Sequence, residues 1–163
     1  MENSSFFNAI IQNGVPDRLY KADMFASYFS SFIGNGVFPN PSTNLQVVAT
    51  DNNMTVRVKA GKAFINGYYY NNDDDLILTI DNADGILHRI DSIVIRLDFI
   101  NREIKAYVKK GTFSNSPNKP ELQRDDDRYE LCLADIKINA GAIKITQSNI
   151  NDNRLNSELC GLV

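Results

Sequence analysis

Arg89–Gly111 reads RIDSIVIRLDFINREIKAYVKKG, and both halves of it alternate with a period of two. Ile93, Ile95, Leu97 and Phe99 share one parity, while Val94, Arg96 and Asp98 share the other. Ile104, Ala106 and Val108 alternate in the same way with Lys105, Tyr107 and Lys109. Successive strand side chains point to opposite faces, so this is the pattern of a half-buried sheet. A turn at Asn101-Arg102 sets Phe99 opposite Ile104 and Asp98 opposite Lys105. Apolar pairs then share one face and opposite charges the other, which favours that register.

Working outward, Val58–Tyr70 (VKAGKAFINGYYY) carries Asn66-Gly67 between two short apolar runs. Both residues accept a positive φ, which makes this a strong hairpin signal. Met54, Val56 and Val58 alternate with Thr55, Arg57 and Lys59 after the turn Asp51-Asn52-Asn53, and Leu76, Leu78 and Ile80 form another strand. Tyr129–Ile138 and Ala142–Ile145 read as further strands, and Thr112–Pro120 as a loop. Lys21–Ile33 is the clearest helix. Its Met24, Phe25, Tyr28, Phe29 and Phe32 make a broad apolar stripe, closed by Gly34-Asn35-Gly36. The stripe lies either on the sheet or in part at a subunit interface. The expected fold is mainly β: an antiparallel β-sandwich or open barrel with one N-terminal amphipathic helix packed on it. We divide the chain into an N-terminal arm (1–19), a β-rich module (20–146) and a C-terminal tail (147–163). In the arm, Phe6, Phe7, Ile10 and Ile11 have helical spacing before Asn13-Gly14-Val15-Pro16 breaks it. The arm's apolar side chains either cover the core or insert into a neighbouring subunit.

A chain of 163 residues with 43% hydrophobic residues fits one self-sufficient domain. A net charge of −3, with Lys and Arg scattered, excludes a dense basic surface for nucleic acid. No stretch approaches a membrane span, and MENSSFFNAIIQNGVPDR has too short an apolar run for a signal peptide. Cys132 and Cys160 fit no metal pattern, and Cys132 reads as a small packed hydrophobe.

Chemistry is hard to place. The lone His88 has no Ser or Cys nucleophile motif nearby and reads as an edge residue. The runs Asp73–Asp75 and Asp125–Asp127 lack calcium-loop spacing and read as solvated loops. We therefore expect no enzyme, metal or cofactor. Tyr68 and Tyr70 are candidate saccharide contacts, because aromatic rings stack on sugars. Strand alternation directs at least one ring of the Tyr68–Tyr70 run inward.

Six strings extend in order along nearly the whole chain: FASYFSSFIGNGVFPNPSTNLQV (25–47), VKAGKAFINGYYY (58–70), HRIDSIVIRLD (88–98), REIKAYVKKG (102–111), YELCLADIKI (129–138) and ITQSNINDNRLNSELCGLV (145–163). Together they resemble an N-terminal module of tail baseplate and fibre-attachment proteins from bacteriophages, prophages and phage-tail-like bacteriocins of Gram-positive hosts. The resemblance implies a structural virion component made in the host cytoplasm. It further implies a trimer or other symmetric homo-oligomer, contacts with other tail proteins, and no catalytic residues. Host cell-wall saccharide is a further candidate partner under a receptor-reading alternative. The candidate interface residues are Phe6, Phe7, Met24, Phe25, Tyr28, Phe29 and Phe32. Larger proteins of this kind continue into a receptor-reading part, whereas this sequence ends at Val163. That leaves a short adaptor and a tip as the two expectations.

Overall fold

A computed structural model describes residues Met1–Val163. In chain order it contains strands β1 (Ile11–Gln12) and β2 (Val15–Pro16), helix α1 (Ala22–Ser30), and strands β3 (Gly36–Val37), β4 (Val47–Ala49) and β5 (Thr55–Val58). Strands β6 (Gly61–Ile65), β7 (Tyr68–Asn72), β8 (Leu76–Thr79), β9 (Arg89–Asp98), β10 (Glu103–Lys109), β11 (Arg128–Ile138) and β12 (Ile150–Asp152) follow. Every ladder is antiparallel. A four-stranded sheet runs β10-β9-β11-β12, and two three-stranded sheets run β3-β6-β7 and β4-β5-β8. The fold is mainly β, a sandwich-like body with one helix outside it.

The alternation explains the core. Ile93, Ile95 and Leu97 of β9 meet Leu131, Ala134, Ile136 and Ile138 of β11. Val56 and Val58 of β5 and Ala63 and Ile65 of β6 come from the smaller sheets to the same cluster. These side chains are buried, and each Val, Leu or Ile among them contributes about 1.5–3 kcal/mol of transfer free energy. A bulge between Cys132 and Ala134 lets Leu131, Leu133 and Ala134 all reach the core.

Buried charges sit where loops must be held. Arg89 and Asp91 are both fully buried and pair through Nε and Oδ1 at 2.7 Å. Arg89 also donates to the Asp81 and Asn82 carbonyls, and the Gly111 amide donates to Asp91. Loops on both sides of β9 are thereby fixed to its first residues, and each charge has the partners that burial demands. Glu130 is buried too and accepts from Arg96, Lys109 and the Gln123 amide. Burial pushes its carboxyl up, and those three partners more than reverse this, leaving it below the usual range.

The β9–β10 hairpin corrects the sequence reading. Asp98 pairs with Glu103, and Leu97 with Ile104, so the loop is four residues long (99–102). Asp98 accepts from the Ile100 and Asn101 amides and pairs with Arg128, instead of facing Lys105. The backbone bond from Asn101 and then the Arg128 guanidinium hold its carboxyl down at about 2. The shift is two residues, so the apolar faces stay where alternation puts them.

The arm, in which Phe6, Phe7, Ile10 and Ile11 have helical spacing, forms the β1–β2 hairpin about Asn13-Gly14. Two other expectations are overturned. Residues 142–145 form no strand, although Ile145 is buried. The helix is shorter than expected, ending at Ser30. The 147–163 segment completes the body: β12 pairs with β11, Cys160 is buried, and Leu162 bridges Val37. Arg154 ties it down by donating to the Ser42 and Asn44 carbonyls. No helix is long and apolar enough to cross a membrane.

Candidate docking interface

The helix meets the body through its smallest residue. Ala26 is its one buried side chain, and it lies over Gly67 at the tip of the β6–β7 hairpin. A Cβ on Gly67 would lie 1.8 Å from the Ala26 carbonyl oxygen. Gly67 has φ +81°, which only glycine adopts cheaply. Asn35, just past the helix, makes a reciprocal pair with the same turn. Its Nδ2 donates to Asn66 Oδ1 at 2.9 Å, and its Oδ1 accepts from the Asn66 amide at 2.6 Å. Close backbone approach therefore docks this helix, with no burial of a large side chain.

The consequence is that the aromatic stripe faces solvent. Tyr28 is 53% and Phe32 60% exposed, and Met24, Phe25 and Phe29 are exposed as well. Phe6 of the arm stacks on Phe25 with ring centroids 4.7 Å apart and meets Tyr20 and Tyr28 edge-on. Phe29 reaches Phe64, which contacts Phe38 and Tyr69. Nine aromatic rings thus form one connected surface spanning the arm, the helix and the β6–β7 hairpin. A groove of about 410 Å³ runs between Phe25, Phe29, Phe64 and Tyr69. Soluble monomers rarely leave apolar patches of this extent uncovered.

Of the candidate interface residues, Phe7 also lies exposed, while Phe6 is half-buried by its stacking. Tyr70 must be withdrawn as a saccharide contact. It is only 9% exposed and belongs to the core cluster, where burial raises its hydroxyl's pKa. Tyr68 is half-buried against Phe99, and Tyr69 is the ring turned outward, at 53% exposure. Sequence reasoning missed Phe38, Phe64 and Tyr69 as members of the aromatic surface. The available signal was the spacing of Ala22, Ala26 and Ser30, a row of small residues that marks the side where a helix can approach closely.

The groups most capable of chemistry are committed to structure. His88 Nδ1 accepts from the Ala140 amide at 3.0 Å, and its backbone bridges Ser114. Burial pushes the thiols of Cys132 and Cys160 up to about 12. Asp125 accepts from the Asp127 and Arg128 amides, so the second acidic run is an internally bonded turn. No group of three or more His, Cys, Asp or Glu side chains is arranged to hold a metal ion. The chain matches no family model, no curated protein and no solved structure.

Proposed function

We propose that this chain is a structural component of a phage-type tail baseplate, anchoring or forming part of the host-adsorption apparatus. The connected aromatic surface of arm, helix and β6–β7 hairpin carries this reading. A large apolar face held on a rigid body suits permanent burial in an assembly, where the same patch recurs in every copy. The six ordered strings resembling baseplate and fibre-attachment modules supply the kind of assembly. The role is structural and not catalytic. In support, the lone histidine and both thiols are spent on packing and backbone bonds. Immunogold electron microscopy on tail particles from an induced lysate tests the proposal. Gold clustered at the distal end of the tail is expected. Unlabelled tails beside abundant free protein would overturn it.

A further inference from the structure

The arm touches its own helix only at its start, where Phe6 packs on Phe25 and Tyr28 and the Phe7 amide donates to the Tyr20 hydroxyl, and its hairpin beyond has a built structure but no surface under it. Asn13 and Gly14 both take positive φ, 51° and 77°, the pair of values that closes a tight hairpin matching strand twist. Ile11 pairs with Pro16 and Gln12 with Val15, and Asp17 closes the base through the Ile10 amide and carbonyl. A lone two-stranded ribbon is marginal in water, so it needs a surface to rest on. Yet Phe7, Ile10, Ile11, Val15 and Leu19 are 57–82% exposed, and no residue of the arm is buried.

We propose that a second copy of this chain supplies that surface, the β1–β2 arm of one copy lying across the aromatic helix face of the next. The exposed parts of the five arm residues amount to roughly 670 Å², taking about 200 Å² for a large side chain. The exposed parts of Met24, Phe25, Tyr28, Phe29 and Phe32 come to roughly 460 Å² on that scale. The receiving face is the smaller of the two, and together they reach roughly 1,100 Å², just past the ~1,000 Å² that separates specific interfaces from incidental contacts. Each chain carries one giving and one receiving surface, so the contact is heterologous and closes only as a ring or a reciprocal exchange. This deepens the baseplate reading's homo-oligomer and rests on the aromatic face described there.

The test uses the full chain in two variants, Ile11→Asp with Val15→Asp on the arm, and Phe32→Asp on the helix. All three side chains are largely exposed, so melting of the monomer should stay unchanged. Sedimentation equilibrium of the unaltered chain should show a concentration-dependent oligomer. Each variant alone should be monomeric, with a dissociation constant raised at least about 30-fold, the loss typical of a central interface side chain. The decisive arm is their equimolar mixture. The helix variant still offers a sound arm and the arm variant a sound helix face, so dimers should reappear. An unaltered chain that stays monomeric, variants that still assemble, or a mixture that stays monomeric would each overturn the proposal. Self-association by this pattern with no gold on tails would remove the baseplate reading and leave this one standing. A monomeric chain that labels tails would do the reverse.

Discussion

Replacing Gly67 with Ala isolates the contact that places the helix. Two costs add. The residue holds φ +81°, where an L side chain loses about 1–2 kcal/mol. The new Cβ would also lie 1.8 Å from the Ala26 carbonyl oxygen and 2.6 Å from its carbon. Both are rigid backbone atoms, so the helix must move or the hairpin deform, at about 1–3 kcal/mol for overpacking of this kind. Gly141→Ala is the matched control, because Gly141 has φ +72° but nothing within 4 Å of the added atom. The unfolded-state gain from Gly→Ala is common to both and cancels. Gly67→Ala should therefore cost about 2–5 kcal/mol and the control about 1–2. For a chain of this length each kcal/mol lowers Tm by roughly 2–4 °C. Urea unfolding followed by circular dichroism reads the global cost, and hydrogen exchange over residues 22–33 reads local release of the helix. Equal stability of the two variants, together with unchanged exchange at 22–33, would refute the close-approach argument.

Three further outcomes follow from the buried charges and thiols. Glu130→Ala leaves Arg96 and Lys109 without their shared carboxylate and should destabilise the protein by about 3 kcal/mol, measured by denaturant midpoint. Asp98 titrates at about 2 in the folded chain and near 3.9 unfolded, so its contribution is complete above about pH 5 and lost progressively as the pH falls through about 4 and 2 towards about 1. Carbonyl NMR should find that low value, and Arg128→Ala should raise it only in part, because the Asn101 amide is the larger cause. Cys132 and Cys160 should give no reaction with a thiol reagent at pH 8 in native protein and two equivalents in denaturant.

Much of the sheet was legible because the side-chain period of two survives every change that keeps parity. Ile93, Ile95 and Leu97 fall on the inner face under either turn placement, and Asn66-Gly67 fixes its hairpin through local φ preferences alone. The β9–β10 loop was not legible. Its length depends on the Asp98 carboxylate capping two loop amides, which alternation does not encode. Residues 142–145 show the opposite error, one buried Ile145 among side chains that merely looked like a strand.

The helix is the instructive case for the site. A broad aromatic stripe reads equally as a core face or an interface, since the hydrophobic effect has no direction. What decides is the opposite face, where Ala26 meets a glycine turn that no larger residue could approach. In the arm, the helical spacing of Phe6–Ile11 carries no helix, because Asn13-Gly14 draws the residues on either side of it into a hairpin.

On the proposed function, the exposed aromatic helix face is what assembles this chain, copy against copy, into a phage-type tail. The most direct measurement adds purified protein to tail particles prepared without it and counts immunogold at the distal end. The unaltered chain should decorate that end, and a Tyr28→Ser, Phe32→Ser variant with unchanged melting should not. Equal decoration by both proteins, or none by either, would contradict it.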